Sequence, residues 1–323
     1  MKKRLAFLTS GGDAPGMNAC IRAIVRISCA KGITPVGVYR GYQGLVDNEM
    51  EELFPRSVSN IIQRGGTILR TSRCQEFMTT EGRAKAKKNL EDNQIDGLIT
   101  IGGDGTLSGA IELGKIWDKI IIGVPGTIDN DLFGSDYTIG CDTAVNTALG
   151  AIDKIRDTAD SHERTFLIEV MGRNCGFNSL QVAIGGGAEE ALLPETASNL
   201  ELVAKELVNS KARGKKSSIV IVAEGEENGG AIKIAEQLKA LGNIDCRTVI
   251  LGHLQRGGSP SAADRVLATE LGAFAVDSFI KGDSNVMVGK ANNTLTTTPL
   301  CDTINKKKNL DNYQITLLQM LAT

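Results

Sequence analysis

Leu98-Ile99-Thr100-Ile101 runs straight into Gly102-Gly103-Asp104-Gly105, and Ile120-Ile121-Ile122-Gly123-Val124 runs into Pro125-Gly126-Thr127-Ile128-Asp129-Asn130-Asp131. Each apolar run is short and ends at glycine, the pattern of a strand buried on both faces of a parallel sheet. Carboxylates placed just past such strands face the crevice where open α/β sheets bind ligands. Asp104, Asp129 and Asp131 therefore mark a site suited to phosphate chemistry.

The same alternation extends outward. Leu5–Leu8 and Pro35–Tyr39 read as further strands of a first unit, with helices over Asn18–Ala30, Glu81–Glu91 and Leu107–Ile116. A second unit begins near Ile139 with a long helix to about Asp160. Strands follow at Thr165–Val170, Ser218–Ala223 and Thr248–Leu251, separated by helices around Leu200–Asn209 and Ala231–Leu241. This predicts an α/β fold of two doubly wound, Rossmann-like, three-layer αβα domains with the active site in the cleft between them. Ala6–Thr9 leading into Gly11–Asn18 is echoed by Phe166–Val170 leading into Met171–Asn178, each a strand, a glycine turn and a helix.

Length and composition agree. A chain of 323 residues with 41% hydrophobic residues has room for two filled cores. Its 36 basic and 38 acidic residues give a net charge of −2, which argues against nucleic-acid and anionic-membrane partners. An aromatic content of 4% disfavours stacking platforms for single strands. The opening Met-Lys-Lys-Arg-Leu-Ala-Phe-Leu-Thr starts like a signal peptide, but its apolar run stops at Ser10-Gly11-Gly12, so it reads as a strand. No run approaches the ~20 apolar residues of a membrane span. Seven cysteines without CxxC pairs point to reduced thiols and a cytoplasmic setting.

Three loops carry the chemistry. Ser10–Gly16 lets backbone N–H groups approach an anion at a helix N-terminus, although a sharp strand-to-helix turn needs the same glycines. Neither the dinucleotide fingerprint nor the Walker P-loop is present. Glycines on both sides of Asp104 allow a magnesium-bridged polyphosphate to lie on the backbone, and Asp104 reads alternatively as a helix cap. Asp129 and Asp131, two apart, suit a general base and a metal-side carboxylate, or a solvated turn.

Pro125–Asp131, with Thr9–Asn18 before it and Leu251-Gly252-His253-Leu254-Gln255-Arg256-Gly257-Gly258-Ser259-Pro260 after it, resembles the bacterial 6-phosphofructokinases over nearly the whole chain. The resemblance implies ATP-dependent phosphoryl transfer to the 1-hydroxyl of fructose 6-phosphate, with Mg2+ as cofactor. It implies Asp129 as the base, Asp104 and Asp131 on the magnesium side, Thr127 orienting the substrate, Gly12 donating its N–H to the γ-phosphate, Arg73 steadying charge, and Arg173 as a further catalytic residue. Tyr42, Arg73, Cys74, Gly103, Gly105, Thr106 and Gly109 fall in the ATP pocket. Met171, Gly172, Arg173, Glu224, His253 and Arg256 fall in the sugar-phosphate pocket, with Arg164 and Arg247 reaching in from a neighbouring subunit of a homotetramer. Residues 1–138 and about 254–303 would bind nucleotide, and residues 139–253 and about 304–323 the sugar phosphate. His253 reads alternatively as a structural histidine, and any single arginine as a solvated charge.

Gly105 and Gly126 match the ATP-using members, whereas pyrophosphate users carry Asp and Lys there; an Asp at 105 would repel the nucleotide's α-phosphate. Met78 departs from an arginine in the nucleotide pocket. Arg22, Arg26, Ser59, Arg156, Glu189, Arg213, Lys215 and Lys216 match an effector site for ADP or GDP and phosphoenolpyruvate. Each of its cations reads alternatively as a solvated face. Pro55 and Asn60 replace an effector-binding arginine and an Asp, which predicts a weakened or altered response. The rival readings are a pyrophosphate-dependent enzyme, a NAD or diacylglycerol kinase, which lacks the second and third motifs, and a non-catalytic sensor on the same fold.

Overall fold

The computed structural model describes residues 2–321. It divides into two compact units, one holding the chain up to Thr143 with Arg256–Lys308, the other Ala144–Gln255 with the residues from Asn309 on.

The first unit contains β1 (Arg4–Thr9), α1 (Met17–Ala30), β2 (Thr34–Val38), α2 (Tyr42–Asp47), β3 (Met50–Glu52), α3 (Thr80–Asp92), β4 (Gly97–Gly102), α4 (Asp104–Gly114) and β5 (Ile120–Pro125). The second contains most of α5 (Cys141–His162), then β6 (Thr165–Val170), α6 (Phe177–Gly185), β7 (Glu190–Leu192), α7 (Leu200–Ala212), β8 (Ser218–Ala223), α8 (Gly230–Gly242) and β9 (Cys246–Ile250). The chain then returns to the first unit for α9 (Ala262–Lys281), β10 (Val286–Ala291), β11 (Thr294–Pro299) and α10 (Leu300–Asn305), and closes with α11 (Asn312–Leu321) in the second.

Seven strands form the first sheet in the order β11-β10-β5-β4-β1-β2-β3. The core strands are parallel, whereas β3 and β11 pair antiparallel at the two edges, so the sheet is mixed rather than wholly parallel. β4 is buried along its length, as a central strand covered on both faces must be. Alternation sorts its neighbours. Leu98 joins a cluster with Leu90, Leu107 and Leu113 from α3 and α4, while a Cβ on Gly97 would meet Phe279 of α9 at 2.6 Å.

The second sheet runs β7-β8-β6-β9, all parallel. Ile168, Val170, Ile219 and Ile221 pack with Ala148, Ile152, Leu180 and Leu318 of α5, α6 and α11. The intervening Leu167, Val220 and Val222 pack with Leu200, Leu207, Ile234 and Leu238 of α7 and α8. Period-two alternation thus builds a three-layer αβα unit. Thr79, Asn199 and Ser261 cap α3, α7 and α9 by accepting the N–H three residues on. No helix among the described residues is long and apolar enough to cross a membrane.

Candidate active site

The loops after β1, β4 and β5 lie side by side. β1 pairs with β2 on one flank and β4 on the other, so chain order reverses between β1 and β4 and opens a crevice at their C-terminal ends. Ser10 donates its N–H to Ile101 O at 3.0 Å, and Gly126 donates to Gly102 O at 3.0 Å. These bonds hold the three loops together just beyond the strands.

Gly103 stands at the N-cap of α4 and Asp104 is its first helical residue, so Asp104 does not cap the helix. No side chain caps α4, which leaves the first N–H groups of its positive end directed into the crevice. A Cβ on Gly105 would meet no protein atom within 4 Å. Thr106 is buried, and its Oγ1 has no hydrogen-bond partner among the described atoms. That hydroxyl lies against the first loop, 3.3 Å from where a Cβ on Gly11 would stand.

Tyr42 and Gly109 meet directly: a Cβ at 109 would come within 2.7 Å of the tyrosine ring. The Tyr42 hydroxyl donates to Thr106 O at 2.5 Å, and burial pushes the phenol above its ordinary range. Phe77 stacks on Tyr42 with ring centroids 4.2 Å apart. Phe77 was not among the sequence candidates, yet it lies inside the Arg73–Met78 segment that was. Its N–H donates to Cys74 Sγ at 3.3 Å. Arg73 and Met78 are exposed.

Past β5, Thr127 and Asp129 are buried, at 6% and 3% exposure, in contrast to a solvated turn. The Asp129 N–H donates to Thr127 Oγ1 at 3.2 Å, and the Thr138 hydroxyl donates to Thr127 O at 2.6 Å. Asp131 is half-buried two residues on. Arg256 also belongs to this unit. Its Nη1 donates to Asp13 O at 3.3 Å, and a Cβ on Gly12 would stand 2.4 Å from that nitrogen. The structure thus brings an arginine expected at the sugar phosphate onto the glycine expected at the γ-phosphate.

In the second unit the remaining candidates cluster at the C-terminal ends of β6, β8 and β9. Glu224 Oε2 accepts the N–H groups of Gly172 and Arg173 at 3.3 and 3.0 Å. Arg173 has φ 51°, a left-handed conformation, and Glu224 and His253 are exposed. Gln255 is fully buried, and its Oε1 accepts the Met171 N–H at 2.9 Å. Gln255 stands in the same motif as His253 and Arg256 but, unlike them, was not among the residues expected at the site. Arg164 precedes β6 and Arg247 is paired with Phe166 near its start. Six strand residues separate Arg164 from Met171, about 20 Å at ~3.3 Å per residue, and four separate the level of Arg247 from it. They are not brought to their own chain's sugar-phosphate cluster.

The effector candidates fall in both units. Arg22 and Arg26 lie on α1 and Ser59 is exposed. Arg156 donates to Gly187 O at 2.8 Å and also to Gly186 O. Glu189 pairs with Lys215 at 3.0 Å and accepts the Ile219 N–H. Lys216 pairs with Glu163 at 3.3 Å, and Arg213 donates to Ser210 Oγ at 3.2 Å.

A family model described as Phosphofructokinase matches residues 4–279. The chain belongs to the phosphofructokinase family. It is 53% identical to ATP-dependent 6-phosphofructokinase 1 of Thermus thermophilus over 99% of both chains, and 51% identical to the ATP-dependent 6-phosphofructokinase of Cytophaga hutchinsonii over 99% of this chain and 98% of that one. The phosphofructokinase structure from Saccharomyces cerevisiae matches with a TM-score of 0.88 at 35% identity, over 94% of this chain and 45% of the yeast chain. The family fold accounts for the two α/β units.

Proposed function

We propose that the protein is an ATP-dependent 6-phosphofructokinase, transferring the γ-phosphoryl group of ATP to the 1-hydroxyl of D-fructose 6-phosphate to give fructose 1,6-bisphosphate and ADP. The observation that carries this is the identity of just over half the residues to ATP-dependent enzymes along nearly the full length of the chain, combined with a three-loop crevice holding the buried Asp129 carboxylate.

Phosphoryl transfer depends on positioning and on stabilising charge over the equatorial oxygens. Asp129 takes the proton of the 1-hydroxyl; burial among fixed hydrogen bonds orients its carboxylate. The N–H of Gly12, the first N–H groups of α4 and the Thr106 hydroxyl bind phosphate oxygens. The buried, unpartnered Thr106 Oγ1 supports this, because such a group costs roughly 1–3 kcal/mol until it is bonded. Tyr42, with Gly109 against its ring and Phe77 stacked on it, borders the nucleoside, and Arg73 stabilises the charge in transit. In the second unit Glu224 holds the Gly172 and Arg173 backbone that, with Met171 and His253, binds the sugar phosphate.

Asp104 and Asp131 offer hard carboxylate oxygens. Magnesium suits such a pair, since it takes one or two carboxylates and completes its shell with phosphate and water. Held by Asp104 and Asp131, the ion would supply positive charge to offset what develops on the phosphoryl group in transit.

Arg164 and Arg247, distant along the strands from their own cluster, serve a neighbouring subunit, so the working enzyme is a cytoplasmic homotetramer. ADP or GDP and phosphoenolpyruvate act at the effector residues, in a form altered by Pro55 and Asn60. A coupled assay with fructose 6-phosphate, offered ATP or pyrophosphate in parallel with magnesium, tests the reading. Turnover with ATP alone is expected; turnover only with pyrophosphate overturns the donor, and none with either overturns the reaction.

A further inference from the structure

The chain between Asp129 and Thr138 carries both loop carboxylates but is not a strand or helix over most of its length. Its shape is set by side chains. Asn130 is fully buried with φ 52°, and its amide nitrogen donates to Asp136 O at 3.0 Å. Ser135 Oγ donates to Tyr137 O at 2.7 Å, and Asp136 N–H donates to Lys290 O at 2.9 Å. One side chain from far along the chain joins these parts. Lys308 Nζ donates to Asn130 Oδ1 at 2.9 Å, to Ser135 O at 2.7 Å and to Asp136 O at 2.6 Å.

An ammonium has three donors and no acceptor. Three acceptors at these distances fix it in one place, and a half-buried, strongly hydrated lysine head needs such compensation. The residue it grips, Asn130, stands between Asp129 and Asp131. Next to it, Leu132 and Lys307 form an antiparallel bridge, so the 307–308 backbone is itself anchored to the loop. By contrast, the side chain of Lys307 is exposed.

We infer that Lys308 is a positioning residue for the reaction: by holding Asn130, Ser135 and Asp136 on one ammonium it sets the orientation of the Asp129 and Asp131 carboxylates without touching substrate. The inference rests on the proposed reaction for its catalytic consequence, but its structural part is independent of it. A carboxylate displaced by an ångström loses on the order of 100-fold in rate although substrates still bind.

The test compares Lys308→Met, Lys308→Arg and Lys307→Met with the wild type in two measurements. In steady-state kinetics Lys308→Met should lose about 100-fold in kcat while both KM values move less than about threefold, the signature of an interaction expressed in the transition state. Lys308→Arg, which keeps the charge but not the three-way geometry, should recover most of that loss, and Lys307→Met should match wild type. In amide hydrogen exchange of the ligand-free protein, Lys308→Met should speed exchange over residues 130–136 and leave β1, β4 and β5 unchanged. A Lys308→Met kcat within about twofold of wild type, an equal loss in Lys307→Met, or unaltered exchange at 130–136 overturns the inference. If Lys308→Met fails to fold, Lys308→Arg carries the test, with a smaller kcat loss and faster exchange confined to the same segment expected, and wild-type values for both overturning it. A wild type inactive on fructose 6-phosphate would sink the proposed reaction, while exchange would still report on the lysine.

Discussion

Thr127 Oγ1 accepts the backbone N–H of Asp129 at 3.2 Å, closing a local turn immediately after β5. A hydroxyl two residues back takes the place of a strand partner, so the chain leaves the sheet with Asp129 buried rather than facing bulk water. In Asp129→Ser the turn keeps both of its bonding groups, and the fold and binding of both substrates should survive. Turnover should fall by about 10²–10⁴-fold, the usual contribution of a general base. Single-turnover measurements with saturating substrates check this, and near-normal turnover would remove Asp129 from the role.

Arg256 lies over Gly12, leaving no room for a Cβ at that position. The obstructing atoms are the far end of a flexible side chain, so Gly12→Ala should displace the guanidinium rather than unfold the unit. Its melting temperature should stay at the wild-type value. Because one methyl group would disturb both the loop proposed for the γ-phosphate and the arginine expected at the sugar phosphate, kcat/KM should fall for both substrates by about tenfold or more. A loss confined to ATP would mean that Arg256 does not share the site.

The central strands and their loops were legible in the sequence because burial on both faces leaves uninterrupted apolar runs, as in Leu98–Ile101. Thr165–Val170 and Ser218–Ala223 were read with the bounds they have in the structure. The two edges of the first sheet were not legible. Met50–Glu52 carries two exposed acids and Thr294–Pro299 is largely threonine, so neither has an apolar run, and both turn out antiparallel. Helix α9 was missed despite its 20 residues, since apolar side chains all round it blur the 3.6-residue period. Within the candidate site, loop glycines and carboxylates were visible as local motifs. Lys308, by contrast, lies 178 positions from Asn130, and no local pattern announces a bond between segments so far apart.

Gly105 has open space where a Cβ would project, so Gly105→Asp should fold. An acid in the first turn of α4 favours the helix by about 0.3–1 kcal/mol, and the melting temperature should hold or rise. The added carboxylate would face nucleotide phosphate across a few ångströms, where like charges cost several kcal/mol. The KM for ATP should therefore rise by about tenfold or more, with the KM for fructose 6-phosphate little changed. Unaltered ATP kinetics would show that position 105 does not approach the phosphates.

Glu190, at the start of β7, lines a cavity of about 450 Å³ with Leu202, Leu207 and Leu318. Burial pushes its carboxyl above the ordinary value of 4.5, the Ala191 N–H draws it down, and Glu206 adds repulsion. The folded state therefore holds this proton more tightly than the unfolded chain does. Stability from the neutral carboxyl is fully present below pH 4.5 and is lost as pH rises through the higher folded value. Glu190→Gln keeps an acceptor for Ala191 and cannot ionise. Its melting temperature should match the wild type below pH 4.5 and exceed it at neutral pH, as scanning calorimetry across that range would record. A constant difference at all pH values would mean that the carboxyl titrates alike in both states.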